Sequence, residues 1–253
     1  VHAPTTITAM LLAAGRGERM RPLTDTTPKP LLPVQGKPLL QWHVDALAAA
    51  GFDHVVINTA WLGEQIPAHF GPEPRSSEGR AVDIRYSWEG LDFGGALETA
   101  GGIVRALPLL GDIFWIVAGD VYAPGFPFAV QAVQRFARSD KLAHLWLVPN
   151  PAHNPQGDFG LANDSGSPGR QLALNQAALR YTYSTIGLYR RELFMRPWCE
   201  IPAGNSAGIK APLAPILRTA MDNQRISAEL YTGPWTDVGT PERLAQLNET
   251  ART

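Results

Sequence analysis

Residues 7–34 read ITAMLLAAGRGERMRPLTDTTPKPLLPV, and the reading of this stretch decides the fold. An apolar run from Ile7 to Ala14 stops at Gly15 and Gly17, which predicts a buried strand ending in a turn whose bare N–H groups can approach an anion closely. Arg16, Arg19, Arg21 and then Lys29 bring four cationic side chains to that turn. Packing does not explain such a concentration, because like charges on one loop repel unless something anionic joins them. A polyphosphate is the ligand these residue types imply.

Two familiar phosphate loops are excluded by the letters. The P-loop places Gly-Lys before Ser or Thr, whereas Gly17 is followed by Glu18 and Arg19. The dinucleotide fingerprint needs a third glycine three residues after the second, where this chain has Met20, then Arg21 and Pro22.

Outward from the turn, apolar runs recur at Ile7–Ala13, His54–Asn58, Val82–Tyr86, Ile113–Val117 and Ala143–Val148. Helical patterns separate them: one from Pro38 to Gly51, others at Glu98–Leu107, Phe128–Arg138, Leu213–Asn223 and Pro241–Glu249. This alternation predicts an α/β fold with a central, mostly parallel sheet. Between Asn150 and Arg180 the composition turns to Gly, Asn, Pro and Ser, and Arg180–Tyr189 then alternates like a strand, which predicts a small antiparallel lobe. Pro72–Gly79 reads as a loose loop.

Composition bounds the rest. A chain of 253 residues, 45% hydrophobic and 18% charged, is expected to form one domain, in two halves of about 1–125 and 126–253. A net charge of −1 offers no bulk attraction to nucleic acid or to an anionic membrane, so anion binding must be local. The lone Cys199 predicts no internal disulfide, and its place beside Trp198 suggests a core position. No apolar run approaches a membrane span, and the expected setting is cytoplasmic. Val1 reads as an alternative start or a trimmed edge. The six histidines show no metal-ligand spacing. Trp61 and Trp235 are expected in the core.

Asp120 closes the apolar strand FWIVAGD, at the end of a strand where open α/β sheets place their ligands. Asp237 lies in WTDVGTPERL, where Thr240-Pro241 supplies the start of the last helix and leaves Asp237 free. Together they are the candidate ligands of Mg2+, an ion held through one or two carboxylates plus substrate phosphates and water.

These motifs resemble the sugar-1-phosphate nucleotidyltransferase family. The resemblance runs through LLAAGRGERMRPLTDTTPKPLLPV, INTAWLGEQI, LETAGGI, the AGD strand end, the GDF triplet at Gly157–Phe159, IKAPLAPILR and WTDVGTPERL. Within the family it is strongest to the branch that uses UTP and a muramic acid 1-phosphate in peptidoglycan recycling. It implies a Rossmann-like three-layer fold and an enzyme that joins a nucleoside triphosphate to a sugar 1-phosphate with loss of pyrophosphate. It also implies that Ala14, Gly15, Gly17, Glu18, Arg19 and Lys29 bind the nucleotide's phosphates, that Arg19, Lys29 and Asp120 are catalytic, that Thr99 and Gly101 face the base, that Asp120 and Asp237 hold Mg2+, and that Asn58, Asp158 and Lys210 lie on the sugar-phosphate side. The carboxylate of a muramate sugar would need a cationic or amide donor, for which Asn58, Asn205 and Arg180 are candidates. A Ser184-Thr185 pair stands where similar chains often carry Ser-Gly.

A mannose- or heptose-1-phosphate guanylyltransferase is the alternative within the same chemistry. A non-catalytic nucleotide-sugar-binding protein is expected to have lost one of Arg19, Lys29, Asp120 and Asp237, and all four are present. The assembly expected is a monomer or small homo-oligomer.

Overall fold

The computed structural model describes residues 7–166 and 169–249. Val1 therefore lies outside the described residues.

In chain order, β1 (Thr8–Leu12) leads through the phosphate turn and three short 3-10 turns to a small hairpin, β2 (Pro33–Val34) and β3 (Lys37–Pro38), and then α1 (Leu39–Ala49). Next come β4 (His54–Thr59), α2 (Gln65–Phe70), β5 (Asp83–Trp88), α3 (Glu89–Phe93), α4 (Glu98–Ala106), β6 (Ile113–Ala118) and β7 (Val121–Tyr122). The second half holds α5 (Val130–Ala137), β8 (Ala143–Val148), β9 (Gly160–Asn163), β10 (Gln171–Leu174), β11 (Thr182–Arg190), α6 (Ala214–Asp222), β12 (Ile226–Leu230), β13 (Thr236–Asp237) and α7 (Pro241–Glu249).

Nine strands form one sheet in the order β5-β4-β1-β6-β11-β8-β12-β10-β9. β11 is antiparallel to both its neighbours and β10 is antiparallel to β12 and β9, so the remaining strands share one direction. The antiparallel part expected from residues 150–190 thus joins the main sheet, as the β9-β10 edge and as β11 near its centre. β12 has no apolar run to announce it, since Ser227 and Glu229 interrupt the pattern; pairing with β8 and β10 orders it.

The central strands are apolar on both faces because both faces are covered. In β6, Phe114 and Ile116 enter one core with Ile103 and Val104 of α4 and Leu217 of α6. Trp115 and Val117 enter the other, with Leu40, Val44 and Leu47 of α1 and Phe136 of α5. Three layers result. Cys199 is buried in the first core, as expected. A third, smaller core joins Met20 after the phosphate turn to Val34, Tyr122, Val238 and Leu244 of α7. The 72–79 segment is tied down, since Ser77 gives its N–H and hydroxyl to Asp45 at 2.7 and 2.6 Å.

His43 on α1 is buried, with Nε2 2.8 Å from the Val121 carbonyl oxygen. Burial depresses its pKa from 6.5 to about 4, partly opposed by the hydrogen bond to Val121. The unfolded chain therefore takes up the proton first, so this stabilisation is complete above pH 6.5 and is lost as pH falls toward 4. Between pH 7 and pH 5 it is expected to cost about 2 kcal/mol of unfolding free energy. Urea titrations of the wild type and His43→Gln check this, since the variant should lack that part of the pH slope.

Candidate active site

The phosphate turn forms because β1 must leave the sheet between β4 and β6 without a helix to continue it. The N–H of Ala13 is taken by Asn58 Oδ1 at 2.8 Å, which fixes the strand's exit. Gly17 then adopts a left-handed φ of 68°. A Cβ there would lie 3.1 Å from Thr24 and 3.2 Å from Lys29, so the turn folds tightly over the segment that follows it. Thr24 closes it by donating its hydroxyl to the Gly17 carbonyl at 2.9 Å.

The structure sorts the cations by their partners. Arg16 stacks its guanidinium 3.8 Å from the Trp61 ring centre, donates to the Thr24 carbonyl, and pairs with Asp25 at 2.9 Å. Arg21 also pairs with Asp25, at 2.8 Å. The guanidinium of Arg16 in the first place, with help from Arg21, draws the Asp25 carboxyl below its ordinary pKa. Arg19 lines the cleft and makes no ion pair or hydrogen bond among the described residues. Trp61 is not a core residue: it is about one-third exposed, donates Nε1 to the Thr24 carbonyl at 2.8 Å and serves as the platform for Arg16. Trp235 is half-buried against the core and donates to the Ser184 carbonyl.

Lys29 is buried, at 9% exposure, with Nζ 2.5 Å from Asp120 Oδ2. Asp120 reaches that position because Gly119 gives its N–H to the Leu12 carbonyl at 2.8 Å, an approach that a Cβ would block. The short β7-β13 pair brings in Asp237, opposite Val121, and the Val238 N–H donates to the Asp120 carbonyl. One Asp237 oxygen pairs with Arg243 at 2.5 Å. The other lies 2.8 Å from His153 Nε2 but is buried without accepting a well-aligned hydrogen bond. A buried carboxylate oxygen without an aligned donor, on a strand whose next residue bonds the Asp120 backbone, suits a hard cation. No group of three or more His, Cys, Asp or Glu gathers among the described residues, so the fold offers this pair, which fits an ion completed by phosphate and water.

A cleft of about 910 Å³ collects most of the candidate residues. Ala14, Gly15, Gly17, Glu18, Arg19, Lys29 and Asp120 line it together with Asn58, Thr99 and Asp158. Asp237 is not a lining residue, although Gly239, two residues further on, is. Gly101 and Lys210 are not lining residues. The N–H of Gly101 is given to the Ala211 carbonyl at 3.1 Å, and a Cβ on Gly101 would sit 2.5 Å from the Ile209 oxygen. Its absent side chain thus admits the 209–211 segment against α4. Lys210, between those two inward-bonded residues, is exposed. Gly101→Ala is expected to destabilise the protein by roughly 1–3 kcal/mol, read from urea unfolding.

Several lining residues carried no signal in the sequence. Glu89 is fully buried and accepts from Asn58 Nδ2 and from the Leu97 N–H, both at 2.7 Å. Burial raises its pKa, partly offset by those two hydrogen bonds. Asn58 thus links the phosphate turn to Glu89 through both ends of its amide, and the second N–H of its Nδ2 is not taken by any described residue. Asn205 is consumed, donating to the Gly101 and Ile209 carbonyls, and Arg180 is not a lining residue. Thr185 lines the cleft from a bulge in β11, with φ 61°. That left-handed conformation is the physical reason a glycine suits this position in similar chains. Arg218 of α6 also lines the cleft.

No helix among the described residues is long and apolar enough to cross a membrane. Residues 8–175 match the nucleotidyl transferase family. An N-acetylmuramate alpha-1-phosphate uridylyltransferase of Neisseria meningitidis is 48% identical over 245 residues, 96% of this chain and 97% of the relative. A mannose-1-phosphate guanylyltransferase of Mycobacterium tuberculosis is 28% identical over 93% of this chain and 62% of its own length. In fold, the chain is similar to the crystal structure of a putative glucose-1-phosphate thymidylyltransferase from Bacillus anthracis, with a TM-score of 0.71 at 21% identity, covering 97% of this chain and 95% of that one. A glycine turn, a buried lysine on a strand-end aspartate, and a family match over most of the sequence converge: the chain belongs to the nucleotidyl transferase family of enzymes.

Proposed function

We propose that the protein transfers UMP from UTP to N-acetylmuramic acid α-1-phosphate, releasing pyrophosphate and forming UDP-N-acetylmuramic acid. The observation that carries this reading is the 48% identity to the Neisseria uridylyltransferase over nearly the full length of both chains. The guanylyltransferase alternative rests on a relative of 28% identity.

The cleft supports the chemistry. A sugar phosphate is already a competent nucleophile near neutral pH, so the obstacle is repulsion between two anions, and alignment with charge neutralisation is the main demand. In this reading Lys29, which pairs with Asp120, stabilises charge building on the α-phosphoryl group. Arg19, without a partner among the described residues, and the N–H groups of the Gly15–Gly17 turn receive the leaving pyrophosphate. Mg2+ bound by Asp120 and Asp237 would supply Lewis-acid neutralisation of the phosphates. Thr99 is assigned to the base and Asp158 to the sugar phosphate, and both line the cleft.

A pyrophosphate-release assay crossing UTP, GTP, dTTP and CTP with muramate, glucosamine, mannose and glucose 1-phosphates tests the proposal. UTP with the muramate ester is expected to be the best pair. GTP with mannose 1-phosphate turned over at least as efficiently would replace this reading with the guanylyltransferase.

A further inference from the structure

We propose that Arg218 determines the sugar specificity, by pairing with the carboxylate that distinguishes a muramate ester from an uncarboxylated sugar phosphate. The inference rests on the uridylyltransferase reading above and adds to it the residue that would select the sugar.

Three cationic side chains line the cleft: Arg19, Lys29 and Arg218. The first two belong to the phosphate end, where the glycine turn and Asp120 lie. Arg218 comes from α6, whose residues Ala214, Leu217 and Arg218 all reach the cleft. Their spacing of three and four is one helix stripe, so the approach of Arg218 follows from how α6 is seated. α6 packs on β12 and β10. Leu217 of the same stripe packs in one core with Ile116 of β6, so Arg218 enters the cleft from an element separate from the glycine turn and from Asp120.

Nothing in the protein neutralises it. Arg218 makes no ion pair or hydrogen bond among the described residues. Asp158, the acidic residue on the sugar side, spends its carboxylate on the Tyr183 N–H at 2.8 Å and on Asn154 Nδ2 at 3.3 Å. A muramate ester brings a second anion on a different ring carbon from the phosphate. A guanidinium is suited to a carboxylate because its planar fork can donate two parallel hydrogen bonds. Of the three sequence candidates, Asn205 spends both amide N–H groups internally, Arg180 is not in the cleft wall, and Asn58 lines the cleft but brings no positive charge.

The test compares wild type, Arg218→Gln and Arg218→Lys with UTP and two acceptors, N-acetylmuramic acid 1-phosphate and N-acetylglucosamine 1-phosphate, which lacks the lactyl carboxylate. In Arg218→Gln, kcat/KM for the muramate ester is expected to fall roughly 10- to 150-fold, mainly through KM, as for one lost charge-assisted hydrogen bond. The glucosamine ester should change by no more than about twofold, and Arg218→Lys should recover part of the loss. Equal losses with both acceptors would overturn the proposal, because Arg218 would then serve the phosphate they share. So would a variant that keeps the wild-type preference. A wild type that handles the two esters alike would overturn the muramate reading, and the role of Arg218 with it.

Discussion

Asp120→Asn and Asp237→Asn are each expected to lower kcat by roughly a hundredfold or more with Mg2+ present, while leaving a cooperatively folded protein. Each substitution keeps the side chain's size and an oxygen acceptor, so packing is preserved. In Asp120→Asn the amide oxygen can still accept from Lys29, and the strand contact of Asp120 is made by its backbone, through the Val238 N–H. In Asp237→Asn, Arg243 keeps its bond to the Asp237 backbone carbonyl at 3.0 Å. What each variant loses is negative charge at the candidate ion site. Steady-state rates against Mg2+ concentration, with circular dichroism as the control for folding, measure this. Near-wild-type rates from either variant would remove that aspartate from the metal assignment.

Lys29→Ala is expected to reduce kcat by about a hundredfold or more while KM for the nucleotide moves little, the pattern of an interaction made mainly in the transition state. Lys29→Arg should fail as well. The lysine stem runs so close to the turn that a Cβ on Gly17 would sit 3.2 Å from Lys29 Cβ and 3.4 Å from its Cδ, and the ammonium is already in contact with Asp120. A planar guanidinium in that space would need the turn to move. A defect confined to KM would make Lys29 a residue of substrate binding alone.

The phosphate end was legible for a local reason. Gly15, Gly17, Arg19 and Lys29 lie within fifteen residues of sequence, and their types in that order have few structural explanations. Asp120 was legible because the apolar run before it marks a buried strand and its end. The distinction among Arg16, Arg19 and Arg21 was not, since all three are the same residue type on one loop. Asp25 and Trp61 decide it by taking up Arg16, and Asp25 by taking up Arg21 as well, which leaves Arg19 for the ligand.

The amino-acid sequence alone determined the α/β alternation, the family and the phosphate turn, because apolar periodicity and clustered glycines and cations act over short stretches of chain. Tertiary structure alone decided which cations reach the cleft and how the site is connected internally. Asn58 and Glu89 are 31 residues apart and meet through a buried hydrogen bond, which ties the strand end after β1 to α3. Lys210 and Arg218 are both cations near the same helix, yet backbone bonds from Ala211 to α4 leave Lys210 exposed, while the seating of α6 on β12 and β10 puts Arg218 in the cleft. Those outcomes depend on strand order, and strand order follows from long-range pairing that no local run of residues records.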